Sequence, residues 1–326
     1  MDVIPEIYES LLCRGSVLKD DRSIMAANFE YYKIFYYVAK YQNFTLAAKA
    51  LLSSQPSVSR CMQNLEMELG CRLFVRSKRG VTLTAEGAQL YHDIAPACEQ
   101  IFRGEENIGS ALGFENGSVY IGVTETALHC FLLEHLEEFH REYPKVRLKL
   151  TSGTTPNTLA DLKAGKTDLA VVTTPIREDA CFKITTVKKS QDILAGGPSY
   201  QSLSGRTVPL KDVQQYPLVC LADNTMTYSL YKELYAASGL IFKPEIELAT
   251  ADLMVPVIKH GLGIGFVPKA LVEEELKNGE MVEIHIQEKI PPREIIMLEN
   301  QHHPLSAAAR ELIKLLRHHI QTEGEL

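Results

Sequence analysis

The sequence predicts an α/β protein: a small, mostly helical N-terminal module, one long helix, and a larger body of two similar α/β lobes. Three observations carry this. Apolar residues recur at helical spacing from Tyr31 to Phe102, whereas from Ser118 onward short apolar runs alternate with amphipathic helices. The strand–helix order that begins at Ser118 is used again from Tyr216 to Val267. Charge is segregated: residues 28–85 carry eight Lys/Arg against three Glu, while the whole chain has a net charge of −7. A small basic module on a larger acidic body is the arrangement of a nucleic-acid-binding head.

A chain of 326 residues is long for one core and calls for two or three domains. No apolar stretch approaches the ~20 residues that span a bilayer, so no membrane partner is expected. The N-terminus lacks a basic region followed by an apolar run, so it does not read as a secretory signal. Seven scattered cysteines without a C-x-x-C fit a reducing cytoplasm and buried thiols, with a Cys181–Cys220 redox pair as the alternative.

Taken in order, YYKIFYYVAKY (31–41) is a helix with Ile34, Phe35, Val38 and Ala39 on one stripe. Thr45 is expected to cap a short second helix, and Ser53-Ser54-Gln55 to break it. Pro56 suits the first turn of a third helix, because its missing N–H would have no partner there. That helix buries Val58, Met62, Leu65 and Leu69 and stops at Gly70, which tolerates a left-handed cap. Two helices joined by a tight turn behind a supporting helix make a helix-turn-helix, with Gln55, Ser57, Ser59, Arg60 and Gln63 pointing outward. In that geometry Gln pairs with adenine, Arg with guanine or phosphate, and Ser with either. A plain three-helix bundle with a solvated polar face is the other reading of the same residues. Cys71–Thr84 then reads as strand, basic Gly turn and strand. This is a wing whose Arg76, Lys78 and Arg79 would meet phosphates or the minor groove. Thr84 caps a long helix whose stripe of Ala88, Tyr91, Ile94, Ala95, Cys98 and Phe102 has no core of its own to cover, which points to pairing with a second chain.

Four runs carry a resemblance: FTLAAKAL from Phe44, SQPSVSR from Ser54, L-E-x-E-L-G-x-x-L-F-x-R from Leu65 to Arg76, and GVTLTAEG from Gly80 to Gly87. Together they resemble the winged helix-turn-helix of LysR-type transcriptional regulators, nearly gap-free from Phe29 to Gly87. The resemblance implies that Ser53–Gln63 opens a recognition helix. The DNA-facing set would be Thr45, Gln55, Pro56, Ser57, Ser59, Arg60, Gln63, Arg76, Lys78 and Arg79. It also implies a bacterial homodimer or homotetramer on a double-stranded inverted-repeat site, whose DNA heads are re-angled when an effector closes the lobes. Two features depart from the family's pattern: the first residues of the chain, where Met25 would be a conventional start, and Pro96 inside the linker helix, which is expected to kink it.

From Ser118 the βαβ order predicts parallel sheets. The strands are SVYIGV, VRLKLT and DLAVVT in one lobe, and YPLVCLA, EIELA and GIGFV in the other, with a tail helix Leu305–Ile320 returning to the first lobe. The body resembles periplasmic binding proteins, the type of effector domain that LysR-type regulators use. The expected domains are an N-terminal extension (1–28), the winged helix-turn-helix (29–87), a linker and dimerisation helix (88–112) and an effector-binding domain (113–326). Within the last, lobe I takes 113–193 and 268–326, and lobe II takes 194–267.

Ligands of such sheets sit beyond the carboxyl ends of strands, at helix N-termini. Those loops hold Thr124, Thr126, Thr154, Thr155, Thr225 and Thr250, which could cradle a small organic anion by hydroxyls and backbone N–H groups, since no Arg or Lys lies in them. Each threonine could equally be an N-cap. Gly261–Gly265 resembles a phosphate loop but leads from helix into strand, the wrong direction. His129, His135 and His140 do not share a helical face, and no metal set is expected. Ser118, Ser152 and Ser190 lie outside any G-x-S-x-G. No catalytic set, metal or cofactor is therefore expected. The reading is a ligand-responsive DNA-binding regulator, with a small-molecule binding or transport protein as the alternative.

Overall fold

A computed structural model describes residues 28–77, 80–110, 117–177 and 179–323. The expected extension and alternative start at Met25, and the wing-tip residues Lys78 and Arg79, lie outside them. The chain divides into two compact units, Met1–Ile101 and Phe102–Leu326.

The first unit contains α1 (Phe29–Tyr41), α2 (Phe44–Ala50), α3 (Gln55–Leu69), the strands β1 (Phe74–Ser77) and β2 (Gly80–Leu83), and the start of α4 (Ala85–Ser110). The cap of α2 is Asn43, not Thr45: the Asn43 side-chain oxygen accepts from the N–H groups of Thr45 and Leu46 at 2.8 and 3.0 Å. The Phe44 ring is buried in the core, and the helix starts two residues earlier than the threonine suggested. Likewise Gln55 lies inside α3, and Ser54 is its cap, accepting from the Ser57 N–H at 3.3 Å. Gly70 ends α3 in the left-handed region at φ 68°, as its position predicts. Phe35, Val38, Ala47, Val58, Met62 and Leu65 form the core. Against them pack Leu90, Tyr91 and Ile94 of α4, with Tyr91 stacked 6.1 Å from Tyr36. The first part of the linker stripe is thus covered by its own head, contrary to the expectation that it had no core to cover. Pro96 stands within the continuous helix. Gly87 is required by close packing, because a Cβ there would lie 2.2 Å from the Leu73 carbonyl oxygen.

The second unit holds two sheets. The first contains β3 (Ser118–Val123), β4 (Arg147–Ser152), β5 (Leu169–Thr173), β6 (Phe182–Ser190) and β13 (Arg293–Asn300), in the order β4-β3-β5-β13-β6. The second contains β7 (Asp192–Gly196), β8 (Thr207–Val208), β9 (Leu218–Leu221), β10 (Ile246–Leu248), β11 (Ile264–Pro268) and β12 (Val282–Ile286), in the order β10-β9-β11-β7-β12-β8. Neither sheet is purely parallel. β3, β4 and β5 run parallel, but β13 is antiparallel to both β5 and β6, and β7 is antiparallel to β11 and β12. The crossing strands re-enter each sheet from the other lobe, so they run against its βαβ strands. They also move the lobe boundary. Strand β12 pairs with β7, so the chain returns to the first sheet at Arg293 rather than at residue 268.

The helices of the first lobe are α5, α6 (Thr155–Lys163) and the tail helix α11 (Ala307–Glu323). α5 begins as Glu125–Ala127, passes through a π turn at Leu128–Leu132 and continues as Leu133–Glu142. Two carbonyls of the π turn are met by side chains: Lys188 Nζ donates to Cys130 O at 3.1 Å, and His135 Nδ1 donates to Phe131 O at 2.8 Å. This accounts for a buried histidine without a metal. The tail helix buries Leu312, Ile313 and Leu316 in the same core as Phe131, Leu132 and Ile295, which is the expected return to the first lobe. The second lobe carries α7 (Leu210–Val213), α8 (Met226–Ala237), α9 (Met254–Lys259), preceded by a 3₁₀ turn Ala251–Leu253, and α10 (Glu273–Lys277). Its core gathers Leu194, Leu218, Tyr231, Tyr235 and Phe266. Among the described residues, no helix is long and apolar enough to cross a membrane, and no His/Cys/Asp/Glu group is arranged to hold a metal ion.

Candidate DNA interface and ligand cleft

The head exposes most of the residues expected to face DNA. Thr45 at the start of α2 is exposed, as are Gln55, Pro56, Ser57, Arg60 and Gln63 on α3. Ser59 is half-buried, while Val58 and Met62 between them are in the core. A helix that exposes these residues on its first three turns, with a proline in its N-terminal turn, can enter a major groove without losing packing. Behind the face, Asn64 Nδ2 donates to the Tyr31 hydroxyl at 3.2 Å and fixes α3 on α1. Glu66 accepts from the N–H groups of Leu73 and Phe74 at 2.8 and 3.2 Å, which ties the wing to the end of α3. The role of Glu66 was not apparent from sequence, because its partners lie past the helix end. The Arg76 backbone pairs with Val81 in the wing ladder.

In the second unit, all six threonines lie where strands hand over to helices, but the structure does not bring them to one point. Thr126 borders a small cavity of about 20 Å³ with Thr227, Ala251, Met254, Phe266 and Arg293. Thr155 and Thr225 border a larger groove of about 600 Å³, with Lys163, Arg177 and Ser229. Thr250 is exposed and Thr154 half-buried. The threonines also differ in what their hydroxyls do. Thr225 is a true cap, accepting from the Tyr228 N–H at 3.1 Å and donating to Ala222 O at 2.8 Å. Thr124, Thr154 and Thr250 occupy N-cap positions without making the side-chain cap bond. The Thr124 hydroxyl is buried and has no hydrogen-bond partner among the described residues.

The largest surprise is Arg293. It is 4% exposed and reaches the inner cavity from the start of β13, far in sequence from the threonine loops. Nη1 donates to Asp192 Oδ2 at 3.0 Å, Nε to Thr174 O at 2.9 Å, and Nη2 to the hydroxyls of Thr173 and Thr227 at 2.8 and 3.2 Å. Tyr231 donates to the same Asp192 carboxylate. Burial, with Asp192 beside it, holds the Tyr231 phenol well above its ordinary pKa. The threonine loops hold no Arg or Lys, as the sequence indicates, but a cation reaches the cavity from outside them, already neutralised by a buried partner. Only an Arg before an apolar strand was visible in the sequence, and nothing local marks it as buried.

Among the described cysteines, Cys98 and Cys220 are buried, and Cys61, Cys71, Cys130 and Cys181 are half-buried. Burial pushes the Cys220 thiol up to about 12 and the Cys130 thiol up to about 11, so both stay protonated near neutral pH.

A helix-turn-helix head followed by a two-lobed α/β body with polar groups at facing strand ends defines a class: regulators that carry DNA-binding and ligand-binding modules on one chain. Comparison with known proteins gives the family. Residues 29–88 match the bacterial regulatory helix-turn-helix protein of the lysR family, and residues 113–321 match the LysR substrate binding domain. The chain belongs to the LysR family of DNA-binding transcriptional regulators. Among its relatives, the uncharacterized HTH-type transcriptional regulator YvbU of Bacillus subtilis is 26% identical over 72% of this chain and 79% of its own length. The HTH-type transcriptional regulator AlsR of the same organism is 26% identical over 72% and 78%. The crystal structure of CbnR, a LysR family transcriptional regulator, shares the fold with a TM-score of 0.66 at 20% identity, covering 90% of this chain and 99% of that one.

Proposed function

We propose that this regulator responds to a small organic anion bound between the two lobes of its body, and that lobe closure alters how a homodimer or homotetramer engages an inverted-repeat DNA site in the cytoplasm. In this reading Gln55, Pro56, Ser57, Ser59, Arg60 and Gln63 meet base edges or neighbouring phosphates, assisted by Thr45. Arg76, Lys78 and Arg79 meet phosphates, and α4 pairs the subunits. The chain acts by binding rather than by catalysis, and needs no cofactor or metal.

One observation carries the ligand assignment. Thr124, Thr154 and Thr250 stand at helix starts without making the cap bond that would explain a threonine there, and the buried Thr124 hydroxyl has no partner among the described residues. Buried polar groups without partners are uncommon, because each forfeits a hydrogen bond that water would supply. In this reading these threonines, with Thr126, Thr155 and Thr225, supply the hydroxyls that meet the anion at the strand ends of the two lobes. The test is calorimetry of the full-length chain against a panel of metabolite carboxylates, followed by Thr126→Val and Thr154→Val. Losing a charge-assisted hydrogen bond costs about 1.5–3 kcal/mol. Each variant is therefore expected to bind the active compound tenfold or more weakly and to bind DNA normally without it. Parent-like ligand binding by both variants would place the site elsewhere.

A further inference from the structure

We propose that Glu125 is a latch between the lobes: its carboxylate holds donors that the anionic head of an effector would take. The inference rests on the cleft reading above.

Glu125 sits between Thr124 and Thr126 in the first loop of the cleft, half-buried. Its Oε1 accepts from the Ser152 hydroxyl at 2.9 Å, at the end of β4 in the same lobe. Its Oε2 accepts from the Ala251 N–H at 3.3 Å, in the other lobe. Ala251 also borders the inner cavity with Thr126 and Arg293. One turn further along α5, His129 Nε2 meets Asp252 Oδ1 at 3.1 Å. Successive turns of a first-lobe helix thus touch successive residues of the second lobe, and at Ala251 the contact is a carboxylate on a backbone amide.

This is the chemistry expected of a bound anion, supplied by the protein itself. Thr250 leaves its cap bond unmade, and the neighbouring amide is satisfied from across the cleft. Two consequences follow. Opening the lobes in the absence of ligand must break the Glu125 contact. An entering carboxylate must displace Glu125 or share the site with a like charge, which is unfavourable at short range. Because Glu125 is only half-buried, its side chain can swing into water on displacement at small cost. The cleft would then favour carboxylates able to bridge the Ser152 hydroxyl and the Ala251 amide over anions that make one contact.

The experiment uses the full-length chain. Hydrogen exchange of the segment 249–255, measured without ligand, should accelerate about tenfold in Glu125→Ala, since losing the acceptor frees a local opening. Unchanged exchange overturns the latch. Glu125→Gln keeps size and polarity and guards against misfolding. It should bind citrate, used as the probe carboxylate, about threefold more tightly than the parent, in the range of a partly exposed charge effect. Equal or weaker citrate binding by this variant overturns the competition. If citrate binds neither protein while exchange is released in Glu125→Ala, the latch stands and the anion reading of the cleft fails.

Discussion

In the head, every residue assigned to DNA comes from one stretch, 45–79, whereas the polar groups around the inner cavity come from segments as far apart as Thr126, Thr227, Ala251 and Arg293. The head is built from helices whose buried and exposed faces repeat every turn, so each position's environment follows from its neighbours three and four residues away. The cleft is built at the ends of strands, and which strand ends meet depends on sheet order and on two chain crossings between lobes. The two regions therefore fail differently. Substitutions in the DNA face should change recognition without unfolding anything, and substitutions at the cleft's buried node should unfold before they can be read as recognition.

The largest expected effect tests that contrast. Arg293→Met leaves Asp192 buried without its cation, and breaking such a pair costs about 3–5 kcal/mol. Chemical denaturation should show that loss in the effector-binding body. A loss below ~1 kcal/mol would mean that water or Tyr231 already carries the Asp192 charge.

On the head, Gln55→Ala and Arg60→Ala should each weaken specific DNA binding by about 1–3 kcal/mol with unchanged folding, because both side chains are exposed. By contrast, Lys78→Ala or Arg79→Ala should weaken binding to all sequences alike and reduce the salt dependence, as phosphate contacts do. Gel shifts on specific and scrambled sites at two salt concentrations separate the two kinds of contact.

A smaller effect sharpens the comparison within the cleft. Thr225 makes its cap bonds, so Thr225→Ala should cost about 1 kcal/mol of stability. Thr154 makes no cap bond, so Thr154→Ala should stay within about 0.5 kcal/mol. Equal losses at both positions would show that Thr154 is a cap after all and remove it from the ligand set.

A further effect, confined to alkaline solution, concerns pH. The folded Cys220 thiol is raised from 9.0 to about 12, so the folded state holds that proton more tightly than the unfolded chain. Its contribution to stability is complete below pH 9 and is lost as pH rises from about 9 towards 12. Cys220→Val should flatten the decline in thermal midpoint over that window. An unchanged slope would assign the decline to other groups, such as the buried tyrosines.

The sequence by itself determined the head almost completely. Its helix ends deviate by one or two residues: Thr45 could not be ranked against Asn43 as a cap without knowing that the Phe44 ring between them is buried, and Gln55, read as part of the break, lies one residue inside the helix that Ser54 caps. The alternating grammar of the body, the tail helix and the positions of the threonines at strand ends were also legible, because periodicity and turn residues act over a few positions. The tertiary structure alone decided the rest. The antiparallel strand β13 runs opposite because it returns from the other lobe, and β12 joins the second sheet by pairing with β7, which moved the lobe boundary from residue 268 to Arg293. The neutralised Arg293–Asp192 pair, and the Glu125 carboxylate on the Ala251 amide, join residues more than a hundred positions apart. No local pattern marks such pairs, because the free energy that selects them comes from burial and from a partner that only the folded chain supplies.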